Sequence, residues 1–180
     1  MEDQTSLFRR ARLCRVVLQA LFLGLGAVLA LMVISAMLEP AYTGAWLARF
    51  FGYPAHPISG MAGAGIVIVT AAILAAWLAA LGTLACLFDA AGWTVQDPQA
   101  PARAAARATF WVSVALGLSI VGQVPLSLLA TLGAEPGSRM IAIGISPAHA
   151  VGLIATVVVA FLAVVLRMMA DLWEDQREIV

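Results

Sequence analysis

Residues 138–180 read SRMIAIGISPAHAVGLIATVVVAFLAVVLRMMADLWEDQREIV, and the fold is decided there. A short alternating run comes first, with Ile141, Ile143 and Ile145 on one side and Ala142 and Gly144 on the other. Period two argues for an extended strand in the loop before the next helix. Ser146-Pro147 then supplies a helix cap and a first-turn proline. An almost purely apolar run follows as far as Leu166. Nothing stops a helix at Arg167. Beyond it, Met169, Leu172, Trp173, Gln176 and Ile179 or Val180 recur on one side at three- and four-residue spacing. That period predicts an amphipathic helix whose apolar stripe needs a covering surface. A membrane-length run passing directly into an amphipathic tail reads as the last span of a membrane domain.

The rest of the chain agrees. It is 63 % hydrophobic and 11 % charged, with a mean hydropathy of +0.99. Soluble domains carry about 25 % charged residues, so lipid must cover most of this surface. At 180 residues the chain is a single membrane domain, all-α, with four transmembrane helices. The spans fall at about 16–38, 61–87, 109–132 and 147–166, and the tail at 167–180. All ten basic residues are Arg, which with the abundant Ala is consistent with a GC-rich bacterial genome. Cys14 and Cys86 are too few for a disulfide framework and read as small apolar filler.

Arg9, Arg10, Arg12 and Arg15 precede the first span. Its length exceeds the roughly 7–15 apolar residues of a signal peptide, so it is expected to be retained. Glu39-Pro40 ends it, because proline disfavours helix in the residue before it. Residues 39–60 form a loop rich in aromatics, expected to anchor at an interface. In the second span, Ala72, Ala76 and Ala80 repeat every four residues, as do Gly60 and Ala64. Such spacing lets helices approach closely in lipid, either within the chain or between two copies of it. Asp97-Pro98 is a candidate cap for a helix bearing Arg103 and Arg107 on one face, a pair suited to lipid headgroups. Pro125 should kink the third span. Gln123 beside it is expected to satisfy the freed backbone or to bond across to another helix, with substrate contact as the functional alternative.

Charge placement orients the chain. Eight Arg fall at the two ends and in the loop at 88–108, including Arg167 and Arg177; Arg49 and Arg139 fall in the other two loops. The positive-inside rule then sets both termini in the cytoplasm of a bacterial inner membrane, and extends the last helix into the cytosol. An even number of spans satisfies the same condition. On that side the tail carries Asp171, Glu174, Asp175 and Glu178. These acids oppose docking on anionic lipid and favour a protein partner or the basic N-terminus.

From residue 139 onward the chain runs in a set order: an Ile-alternating stretch ending in Ser, an apolar span, an Arg at its edge, an acidic amphipathic stretch and a closing apolar pair. Arg139, Ile141, Ile143, Ser146, Arg167 and Ile179-Val180 carry that pattern. It resembles a bacterial family of small four-span membrane proteins known only as a domain of unknown function. Its members are often encoded beside a short Xre-type helix-turn-helix regulator. The family's aromatic-Thr box followed by Asn is not matched, since this chain has Gly92-Trp93-Thr94 and no Asn. The resemblance implies a membrane location and a cytosolic transcriptional regulator as candidate partner, and it supplies no catalytic residue.

The chemistry in the sequence is sparse. No charged residue lies inside a span as drawn, which counts against ion or proton coupling. His56 and His149 fall short of a metal-ligand set, and no cofactor or metal is expected. No nucleophile elbow, phosphate loop or metalloprotease motif occurs, so no enzyme is expected. A net charge of zero gives no case for direct nucleic-acid binding. The leading expectation is a non-enzymatic sensor, regulator or tether acting on a cytosolic partner. The runner-up is a small transporter or pore component working as an oligomer, with Gln123, Pro125 and the span hydroxyls lining its path.

Overall fold

The structure is a computed structural model describing residues 2–54, 56–88, 99–135, 139, 141–142 and 147–178. Six helices account for nearly all of it: α1 (Glu2–Leu38), α2 (Pro40–Phe50), α3 (Gly60–Leu87), α4 (Ala100–Val121), α5 (Gln123–Ala130) and α6 (Pro147–Glu178). Four apolar stretches are long enough to cross a membrane: Arg12–Leu38, Gly60–Leu87, Ala100–Ala130 and His149–Leu172. The protein is an all-α multi-pass membrane protein.

Contacts between helices fix their directions. Gly26 meets Leu78 and Gly82 meets Phe22, so α1 and α3 run antiparallel. Trp77 bonds to Ser119, and Gly122 meets Ile73, so α4 runs back along α3. Gly152 meets Leu116 and His149 meets Gln123 just past the end of α4, so α6 runs antiparallel to α4. The four long helices therefore alternate, and α1 begins at the same end of the bundle where α6 finishes. The order across the bundle is α1, α3, α4, α6. The outer pair is lipid-facing: 6 % of the span is buried in α1 and in α6, against 28 % in α3 and 33 % in the third span. Exposed Leu and Val on α1 and α6 are what a hydrocarbon solvent requires.

Small residues set the central packing. Ala76, Ala80, Ala105, Ala108 and Ala115 are buried between α3 and its neighbours. Without a hydrophobic drive in lipid, close approach and dispersion do this work. Ala72, the first of the expected alanine ladder, is exposed, and Gly60 has only the Pro40 ring at 3.9 Å. The tightest approach involves Gly63 instead. A Cβ there would overlap the Pro40 carbonyl, and one on Gly44 of α2 would overlap the Gly63 backbone.

Three local expectations are corrected. The loop at 39–60 contains α2, which turns off α1 at Glu39 with Pro40 in its first turn. Thr43, Gly44, Leu47 and Ala48 are its buried face, while Tyr42, Trp46 and Phe50, four apart, are exposed. The third span starts at Ala100 and not near residue 109, with Pro101 in its first turn, while the kink expected of Pro125 is present as a break at Gly122, one turn before it. A proline ring clashes with the carbonyl four residues earlier, here that of Val121, so the break falls upstream of the ring. Asp97 and Pro98 lie outside the described residues. The strand expected at 140–146 falls mostly outside them too, but Ile141 and Ala142 are described and are not in a strand. The Ala142 N–H donates to Ser127 Oγ at 3.0 Å, so a helix hydroxyl replaces the strand partner. Among the described residues there is no strand.

Candidate functional site

The first candidate region is the run of α6 beyond its membrane core. The helix continues unbroken to Glu178, as the missing breaker at Arg167 predicts. Its apolar window runs on to Leu172, past the expected edge at Leu166. Ala170 is buried against the protein, while Met168, Met169 and Leu172 are exposed, as are Arg167, Asp171 and Asp175. Trp173 and Gln176 lie on the same helix, and Ile179 is outside the described residues. Arg12 and Arg15 of α1, Arg103 and Arg107 of α4 and Arg167 of α6 all lie toward the bundle end opposite α2. Arg9 and Arg10 belong to the first turns of α1 at that end. Arg49 of α2 and Arg139 lie at the other end. The charge asymmetry counted along the sequence is thus an asymmetry of the folded bundle. Cys14 and Cys86 are free and exposed, so neither is core filler.

The second region is a half-open cavity of about 1340 Å³ at the α2 end, walled by α1, α2, α3, the α4–α5 break, residues 141–142 and the start of α6. Gln123 lines it and approaches His149, with Nε2 to Nε2 at 3.4 Å. The expected cross-helix use of the amide is the observed one. The Tyr53 hydroxyl donates to the Gln123 carbonyl at 3.5 Å, the outer limit for such a bond. Burial pushes the Tyr53 phenol above its ordinary pKa, which keeps it a donor. Ser35 and Thr43 hydroxyls pair at 2.9 Å where α1 meets α2. Deeper, Trp77 Nε1 donates to Ser119 Oγ at 3.1 Å, and that hydroxyl donates to the Ala115 carbonyl. Among the described residues, no Asp, Glu, Lys or Arg lines the cavity.

The span hydroxyls are mostly committed to their own helices. Thr70, Thr83, Thr109, Ser113 and Thr156 each donate to a carbonyl one turn back. They form no polar track through the bundle. Among the described residues, no buried side-chain polar atom lacks a partner, and no three His, Cys, Asp or Glu gather as metal ligands.

His149 and Tyr53 are the site residues that reading the sequence missed. Gln123 is the first residue of α5 and His149 the third of α6, so their meeting depends on packing between distant segments and not on a register readable in the sequence. Tyr53 carries no signal either, because its place depends on α2. Comparison with known protein families, with curated proteins and with solved structures returned no match.

Proposed function

We propose that this chain is a non-enzymatic protein of the bacterial inner membrane, with both termini in the cytoplasm, which docks a cytosolic protein through the tail of α6. The carrying observation is the continuity of α6 over 32 residues. At 1.5 Å per residue this is about 48 Å, against a hydrocarbon core of ~30 Å. Roughly three turns therefore project beyond the core, with Met169 and Leu172 exposed beside Asp171 and Asp175. An apolar stripe flanked by acids suits a protein groove better than an anionic lipid surface. The Arg clustered at that end support the cytosolic assignment. The resemblance to four-span proteins encoded beside helix-turn-helix regulators makes such a regulator the candidate partner.

The test is a crosslinked pull-down from native membranes, comparing the full chain with one cut after Arg167. Retention of a helix-turn-helix protein by the full chain alone supports the reading. Equal or empty captures, with both chains inserted, refute it.

A second reading, a small transporter or pore component acting as an oligomer, draws on the cavity that Gln123 lines. It predicts solute flux in liposomes that Gln123→Leu reduces, and absence of flux removes it.

A further inference from the structure

The cavity at the α2 end has no part in docking through α6, and its lining has a definite chemistry. Its α1 and α3 walls are apolar, with Val28, Met32, Ile73 and Leu74 among them. Along α1 it extends from Leu25 to Ser35, which is about 15 Å of helix. Its polar groups collect toward the α2 end, where Tyr53, Gln123 and His149 meet. The deeper indole of Trp77 is satisfied by Ser119 and Thr70 by its own helix, so the lower part offers an apolar surface.

Three further observations narrow the occupant. The rim residues Val28 and Leu31 are 54 % and 66 % exposed, and they lie in the middle of the α1 span. The mouth therefore opens sideways into hydrocarbon. Among the described residues the lining holds no Asp, Glu, Lys or Arg, so an ionic head buried there would forfeit hydration with none of these as counter-ion. The volume of about 1340 Å³ exceeds the roughly 300–1,000 Å³ of sites for compact small molecules.

We propose that this cavity binds an uncharged amphiphile drawn laterally from the membrane, its apolar part between α1 and α3 and its hydroxyl or ester-carbonyl head at Tyr53, Gln123 and His149. The Tyr53 hydroxyl, held only at 3.5 Å by the Gln123 carbonyl, turns to an acceptor on the head. The site is independent of which face of the membrane α2 occupies.

The test uses the full chain in phosphatidylcholine nanodiscs and two photoactivatable diazirine probes with the same hexadecyl chain. One ends in a hydroxyl and the other in a phosphate. The alcohol probe should label the α1 and α3 walls saturably, with competition by unlabelled hexadecanol. Tyr53→Phe should weaken its half-saturation about three- to tenfold, the size of one neutral hydrogen bond. Val28→Trp, at an exposed rim position, should abolish saturable labelling. Val157→Trp, on the lipid face of α6 and 61 % exposed, should leave it unchanged. Unsaturable labelling spread equally over α6 would show annular lipid only and overturn the proposal. Preference for the phosphate probe would overturn it in favour of a phospholipid. Unchanged labelling in both Tyr53→Phe and Val28→Trp, or a crosslink joining two copies through α1 in place of the probe, would also overturn it.

Discussion

Replacing Gly63 by Ala should destabilise the bundle, although alanine is the better helix former. The gain in helix propensity is about 1 kcal/mol at most. Against it, the new methyl meets backbone of α2: it overlaps the Pro40 carbonyl oxygen and lies 2.8 Å from its carbon and 3.0 Å from Ala41 Cα. Overpacking costs roughly 1–3 kcal/mol. Backbone atoms cannot rotate aside as a side-chain tip can, so the upper end applies. The net expectation is a loss of about 2 kcal/mol, roughly a 30-fold drop in the folded-to-unfolded ratio. Gly117 is the internal control, with nothing within 4 Å of its added Cβ. Gly117→Ala should be neutral or gain up to about 1 kcal/mol. Reversible unfolding in mixed detergent–SDS micelles, followed by far-UV circular dichroism, measures both. Gly44→Ala probes the same crossing from the α2 side, so the double variant with Gly63→Ala should be non-additive. Gly63→Ala as stable as Gly117→Ala would refute the α2–α3 crossing, and with it the roof of the cavity.

Further predictions concern the polar contacts. Ser119→Ala leaves the Trp77 indole N–H without its acceptor and should cost about 1–3 kcal/mol, whereas Trp77→Phe leaves Ser119 bonded to Ala115 and loses chiefly one hydrogen bond, about 0.5–1.5 kcal/mol plus packing. The same unfolding assay separates the two. Ser127 is fully buried and accepts the Ala142 N–H, so Ser127→Ala should accelerate amide exchange at Ala142, read by hydrogen–deuterium exchange. Burial raises the Tyr53 pKa above 10.0, so its contribution is complete below about pH 10 and is lost as pH climbs through the raised value. Stability measured across that alkaline range should fall less steeply in Tyr53→Phe.

The helices that cross the membrane were legible because lipid imposes a simple rule. A span must be apolar over its full length and must satisfy its own backbone. The stop at Glu39-Pro40, the start of α6 at Pro147 and the continuation past Arg167 followed from local stereochemistry alone. What was not legible depended on contacts between distant segments. The residues of α2 read as interfacial loop, because aromatics explain themselves there. Yet Pro40 at the start, Tyr42, Trp46 and Phe50 on one side, and Gly44 with Ala48 on the other are a helix pattern. The alternation at residues 140–146 suggested a strand because period two carries no information about what satisfies the backbone. Ser127, on another helix, supplies the partner at Ala142. The cavity had no signature in the sequence, since its Gln123, Tyr53 and His149 come from three separate segments.

Cysteine accessibility across the membrane tests the central claim, an even number of crossings with the α6 tail in the cytosol. In a background carrying Cys14→Ser and Cys86→Ser, single cysteines would be introduced as Ser6→Cys, Glu135→Cys and Asp175→Cys. A membrane-impermeant maleimide applied to intact cells should label only Glu135→Cys, and permeabilisation should expose Ser6→Cys and Asp175→Cys together. Labelling of Asp175→Cys from outside intact cells would put the tail beyond the reach of any cytosolic partner and contradict the account.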